Sequence, residues 1–237
     1  MWRKIGLVGR RNKLEKFVEL LGFPNVYQNF DFLNPQLQGV NGEIVQPRGK
    51  WREQHFKNQN PLVLELACGG GEYTLGLSEM YPDKNFIGID VKGNRIWKGA
   101  RKALAANRTN AAFLRTRIEQ VHLFFGPGEV DEIWITFPDP FLKKSKANRR
   151  LTNHNFLALY EQIVKPGALL HLKTDSPELF EFTHEVLGQQ NKWKLEKSIQ
   201  DIYSADLILP ELQLKTHYEK MHLIAGKKIT YIQVKLV

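Results

Sequence analysis

Glu65, Asp90, Asp139 and Asp175 each fall within or at the end of a short apolar run, and Gly69-Gly70-Gly71 follow the first of them. In an open α/β sheet the carboxyl ends of the strands face the ligand crevice, so acids placed there meet bound molecules. Adjacent glycines permit a tight turn and close approach of backbone to ligand. The stretch LELACGGGE (64–72) lacks the G-x-G-x-x-G spacing of dinucleotide binders, and Glu65 would repel a pyrophosphate. Asp90 lies about 20 residues past the glycines, where an acid suits the two hydroxyls of a ribose.

An acid ahead of the glycine turn suits a ligand with an ammonium or other positive charge. The two acids together describe a nucleoside carrying an amino acid, and S-adenosylmethionine has both ends. Two ordinary strand-end acids around a plain tight turn are the alternative, which leaves Glu65 unexplained. The third acid, Asp139, stands between Pro138 and Pro140, which stiffen the backbone on both sides. A rigid loop with one carboxylate can hold a polar edge such as the ring N–H and amino group of guanine. Lys143, Lys144, Lys146, Arg149 and Arg150 follow at once and suit phosphates, the groups most contacted by Lys and Arg in nucleic-acid complexes.

These residues need a scaffold, and the chain from Pro61 onward supplies one in alternating patterns. Strands are expected at 62–66, 85–90, 111–116, 131–136 and 168–174, separated by helices, with WKLEKSI and KITYIQVKL as two closing strands joined by a long loop. The helices are expected after the glycine turn, over 92–107, near IEQVHLFF, over 152–164 and over 177–189. Alternation of strand and crossover helix predicts an α/β fold: a Rossmann-like, mostly parallel seven-stranded sheet with an antiparallel edge. Residues 1–60 read as an N-terminal arm that partly packs on a domain spanning 61–237. Within the arm, Leu14, Phe17, Val18 and Leu21 predict a helix that stops at Gly22.

Composition sets the outer limits. The chain has 237 residues, 42% hydrophobic and 25% charged, which is globular rather than disordered. A net charge of +9 favours a polyanionic partner. The single cysteine, Cys68, excludes an internal disulfide, and a reducing cytoplasm is the expected location. The start shows no apolar run of signal-peptide length, and no stretch approaches the roughly 18 apolar residues of a membrane span. No His or acid cluster has metal-ligand spacing, so no metal is expected.

LELACGGGEYT, NFIGID, FPDPFLKK…RRLT, HLKTDS and THYEK occur in an order and spacing that resemble the bacterial tRNA (guanine-N7)-methyltransferases of the TrmB type. The likeness covers about residues 60–237, and the PDP-x-x-KK…RRL block is its most specific part. It implies a methyltransferase with S-adenosylmethionine as donor and tRNA as partner, acting as monomer or homodimer without an obligatory protein partner. Glu65, Ala67, Gly69, Gly71, Asp90 and Arg117 then take donor positions, and Asp139 is the active-site acid. Lys143, Asp175, Thr216, Tyr218 and Glu219 take positions on the tRNA side. The chain departs from the family at Phe141-Leu142, where Trp-Pro is common, and in the glycine turn, where a lysine often stands third. It also has Arg117 where the family's third donor-site acid falls. Two other readings stay open: a methyltransferase of another acceptor, and an RNA-binding protein with a degenerate donor pocket.

Overall fold

The computed structural model describes residues 12–205 and 209–237. Arg3, Lys4, Arg10 and Arg11, basic residues of the arm that could reach an RNA, lie outside the described residues. The first element, α1 (Lys13–Leu21), opens on a capping box in which Asn12 and Glu15 satisfy each other's backbone N–H, and it ends at Gly22. Three short strands follow: β1 (Val26–Gln28), β2 (Leu37–Gln38) and β3 (Ile44–Val45). The main alternation then runs β4 (Leu62–Leu66), α2 (Glu72–Met80), β5 (Asn85–Asp90), α3 (Gly93–Ala105), β6 (Ala111–Arg115) and α4 (Val121–Phe124). It continues through β7 (Val130–Thr136), α5 (His154–Tyr160), β8 (Val164–Thr174), α6 (Pro177–Gly188), β9 (Trp193–Ile199), α7 (His217–Ile224) and β10 (Thr230–Leu236).

The ten strands of the described residues join one sheet in the order β3-β2-β1-β6-β5-β4-β7-β8-β10-β9. The pairs from β1 through β6, β5, β4 and β7 to β8 are parallel, whereas β10 runs antiparallel to both β8 and β9. The seven strands expected from periodicity are β4 to β10. The other three come from residues 26–45 and extend the sheet past β6, where Asn29 N–H donates to the Arg115 carbonyl at 2.8 Å and Phe113 N–H to that of Asn25 at 2.8 Å. Without them β6 would present an open edge. The helix expected over 152–164 is shorter: Asn153 caps its start, and Val164 already pairs with Val130 in the sheet.

The chain steps outward from β4 to β5 and β6, then returns to the other side of β4 for β7 and β8. That reversal opens a crevice at the carboxyl end of β4. The strands beside it are held by burial on both faces. Leu62, Leu64 and Leu66 join Ile87, Ile89, Ile133 and Ile135 in one apolar cluster, while Val63 joins Phe86, Trp134 and Tyr73 in another across the sheet. Each such side chain contributes about 1.5–3 kcal/mol when fully buried. Among the described residues no helix is long and apolar enough to cross a membrane.

Candidate functional site

The glycine turn folds back onto the end of β5. Gly69 N–H donates to Asp90 Oδ2 at 2.9 Å, Cys68 N–H to the Ile89 carbonyl at 2.9 Å, and Gly71 N–H to the Cys68 carbonyl at 2.8 Å. Gly71 has φ +69°, and a Cβ there would sit 2.4 Å from Phe113 Cε1, so only glycine fits. Ala67 also takes a positive φ of 58°, which turns the chain sharply out of β4. Asp90 accepts a second bond from Lys92 N–H at 2.7 Å. Its carboxylate is therefore aimed and held, with lone pairs left for a ligand.

Glu65 sits inside β4, only 4% exposed. One of its oxygens accepts from Thr74 N–H at 2.7 Å and from the Thr74 hydroxyl, and the other from the Thr136 hydroxyl at 2.9 Å. Burial pushes its pKa up to about 7 even though these bonds favour the carboxylate. Two adjoining cavities meet at Ala67. One, of about 470 Å³, is lined by Asp90, Arg117, Glu119 and Asp139; the other, of about 320 Å³, by Glu65, Gly69, Thr136, Thr216 and Tyr218. An acid at each end and a glycine turn between them match a ligand with a ribose at one end and an ammonium at the other.

The loop after β7 is bent by two non-glycine residues with positive φ, Phe137 at 48° and Phe141 at 42°. Such residues strain the backbone and persist only where surroundings hold them. Phe137 N–H donates to the Lys173 carbonyl at 2.8 Å. Phe141 N–H donates to Asp139 Oδ1 at 3.1 Å. Arg150 completes the clamp, donating from Nε to the Pro140 carbonyl at 2.9 Å and from Nη2 to that of Phe141 at 3.2 Å. Its guanidinium lies 4.4 Å from the centre of the Phe182 ring, and the residue is only 7% exposed. Arg150 is thus a strut of this loop rather than part of the exposed charge expected there. Asp139, Lys143, Lys144 and Lys146 remain exposed, and Arg149 lines the larger cavity beside Asp139.

The residues expected on the tRNA side separate. Asp175, at the end of β8, pairs with Lys227 at 2.6 Å and with His222 at 3.3 Å, and faces a further cavity shared with Pro140 and Leu142. Thr216 caps α7 by accepting from Glu219 N–H at 3.1 Å, and Tyr218 is half exposed at the cavity wall. Glu219 is sealed inside, 2.7 Å from Lys173 Nζ and accepting from the Tyr203 hydroxyl at 2.7 Å. Lys143 lies beyond the two adjoining cavities, at the start of a helical turn over Lys144–Arg149.

Sequence reasoning passed over Thr74, Thr136, Lys173 and Glu119. Thr136 is the last residue of β7, and that position alone could have shown it. Glu119 places a carboxylate in the lining of the larger cavity two residues past Arg117, whose guanidinium lies 4.1 Å from the centre of the Phe32 ring. Among the described residues no group of three or more His, Cys, Asp or Glu side chains is placed to hold a metal ion.

The switch-point crevice with its glycine turn and paired acids is the ligand site of an open α/β sheet, and residues 59–232 match the family model described as a putative methyltransferase, so the protein is of that class. The chain is 43% identical to a tRNA (guanine-N(7)-)-methyltransferase of Bacteroides thetaiotaomicron, over 95% of this chain and 86% of that one. It is 43% identical to the protein of that name from Christiangramia forsetii, over 97% of this chain and all of that one. The chain belongs to the tRNA (guanine-N(7)-)-methyltransferase family. Among solved structures, the 16S rRNA methyltransferase KamB superposes with a TM-score of 0.61 over 82% of this chain and 96% of that one, at 16% identity. A geranyl diphosphate C-methyltransferase from Streptomyces coelicolor, solved with S-adenosyl-L-homocysteine, superposes with a TM-score of 0.53 over 80% of this chain and 75% of that one, at 13% identity. At such identities the likeness is one of fold.

Proposed function

We propose that the protein transfers a methyl group from S-adenosylmethionine to N7 of a guanosine in the variable loop of tRNA, in the cytoplasm. The observation that carries this reading is the grouping of Glu65, Asp90 and Asp139 around the paired cavities, with the exposed lysines of the following loop beyond the rim at Asp139. The donor supplies an electrophilic methyl on a sulfonium. Asp90, oriented by two backbone N–H groups, receives the ribose hydroxyls, and Glu65 receives the ammonium. Guanine N7 carries a free lone pair at neutral pH, so no base is needed to make the nucleophile. Asp139 orients the guanine edge and favours the positive charge that develops on its ring. Lys143, Lys144 and Lys146 take phosphates, Thr216 and Tyr218 form a wall the acceptor enters against, and Asp175, in the neighbouring cavity beside Pro140 and Leu142, meets the acceptor further out.

Methyl transfer from labelled S-adenosylmethionine to unmodified tRNA, followed by mapping of the product, tests this directly. One 7-methylguanosine in the variable loop is the expected result. Tight donor binding with no transfer to tRNA would move the search to another acceptor.

Glu65 adds a pH signature. In the free protein its pKa is raised above the ordinary glutamate range, so the stability it contributes is complete below that range. That contribution is lost as pH rises through about 7. Binding of an ammonium has the opposite requirement, because it needs the carboxylate. Affinity for S-adenosylhomocysteine is therefore expected to rise with pH up to about 7 and then level, by at most roughly tenfold per unit. Calorimetry on the wild type and on Glu65→Gln checks this; the variant should bind more weakly and lose the slope through that range.

A further inference from the structure

Helix α3 breaks a local rule. Its sequence, GNRIWKGARKALA, contains Arg95, Lys98, Arg101 and Lys102 and no acid, and Lys92 stands at its N-cap without a side-chain cap. Cations in the first half of a helix oppose the macrodipole, and like charges three or four residues apart repel. Asp90 accepts from Lys92 N–H at 2.7 Å and Glu19 from Trp97 Nε1–H at 2.7 Å, but neither carboxylate pairs with one of these cationic heads. Among the described residues, none of Lys92, Arg95, Lys98 and Lys102 has a carboxylate partner, and Arg101 instead packs on the Trp97 ring at 5.2 Å.

The placement is as telling as the charge. Arg95, Lys98 and Lys102 follow helical spacing along one row, opposite the buried face formed by Ile96, Ala100 and Ala103. Arg95 and Lys98 also line the smaller donor cavity, and the Lys98 side chain approaches Gly70 of the glycine turn. The row thus begins at the crevice and runs away from it, on the side where β5 and β6 lie, while Lys143–Lys146 flank the other cavity beyond β7. A row of like charges kept without carboxylate partners is the kind of local conflict expected at functional or strained sites.

We infer that the Arg95–Lys98–Lys102 row is a second track for the phosphate backbone of tRNA, so that the RNA straddles the donor crevice between α3 and the loop after β7. This rests on the tRNA reading given above. Lys98 and Arg95 also stand close enough to the crevice to serve the donor's own carboxylate, and the experiment separates the two anions.

The test compares wild type, Arg95→Gln/Lys98→Gln/Lys102→Gln and the control Lys194→Gln/Lys197→Gln, which removes exposed charge from β9 at the opposite sheet edge. tRNA affinity is measured against salt concentration, and S-adenosylhomocysteine affinity by calorimetry. The α3 variant is expected to lose about 2–3 from the magnitude of the log–log salt slope, since each phosphate contact contributes about 0.7–0.9. Its affinity for S-adenosylhomocysteine should stay within a few-fold of wild type, and its melting temperature should not fall, because charge repulsion has been relieved. The control should keep the wild-type slope. An α3 variant whose slope matches wild type, or matches a shift of equal size in the control, would overturn the proposal. Weakened S-adenosylhomocysteine binding with unchanged tRNA binding would assign the row to the donor instead. A wild type that binds no tRNA defeats the underlying function itself, a result distinct from either.

Discussion

Replacing Lys173 with methionine is expected to destabilise the fold by about 3–5 kcal/mol, the usual cost of removing one partner from a buried ion pair. Lys173 is fully buried, and its ammonium donates to the carbonyls of Leu212 and Leu214 at 2.9 Å each as well as to Glu219. Burial pulls its pKa below the ordinary lysine value, opposed by the Glu219 carboxylate. Without the ammonium, Glu219 becomes a buried charge with only hydroxyl and backbone donors. The damage should reach the site, because this node ties the segment before β10 to the sheet. Thr216 and Tyr218 of that segment wall the donor cavity, and His217 N–H is bound to Glu72 at 2.6 Å. Urea denaturation gives the stability change, and the KM for the donor should rise in the same variant. Lys173→Met/Glu219→Gln should recover part of the loss, since the second change neutralises the stranded acid. A Lys173→Met protein within about 0.5 kcal/mol of wild type, in the range of an ordinary surface change, would sink the account.

Asp139→Ala is expected to slow single-turnover methyl transfer by about a hundred- to a thousandfold, the range found when one preorganised electrostatic group is removed from an active site. The loop should survive the change, because Arg150 and the Lys173 carbonyl hold it from both sides independently of Asp139. Asp139→Asn keeps a side-chain oxygen for Phe141 N–H and so preserves the turn, but it loses the charge and presents a donor to the guanine edge. Its rate should fall at least about tenfold if charge and orientation both count. Near-normal single-turnover rates in both variants would falsify the role given to Asp139. Affinity for S-adenosylhomocysteine should change little in either, which distinguishes a defect at the acceptor from one at the donor.

The seven main strands were legible because most of them are buried on both faces and read as apolar runs of strand length, β4 being buried throughout its five residues. The limits of α5 were harder to place, since Val164 enters the sheet through pairing with Val130, a residue remote in sequence. β1, β2 and β3 carry almost no local signal. At two or three residues each, they exist as strands because β6 offers an edge to pair with.

By itself the sequence determined the alternation that makes the sheet, the glycine turn after β4, and the location of Glu65 and Asp90 on their strands and of Asp139 in the loop just past β7. These follow from spacing along one strand and the turn after it, so neighbours in sequence suffice. Only the tertiary structure decided which charges face solvent and which are sealed. Arg149 and Arg150 are adjacent and alike, yet Arg150 is a buried strut because Phe182 and the carbonyls of Pro140 and Phe141 meet it from elsewhere in the chain. The resemblance placed Glu219 of THYEK on the tRNA side, whereas in the fold Lys173, 46 residues away, closes on it and seals it inside. A charge is inexpensive to keep in water and costly to bury without a partner, so its role depends on what the fold brings against it.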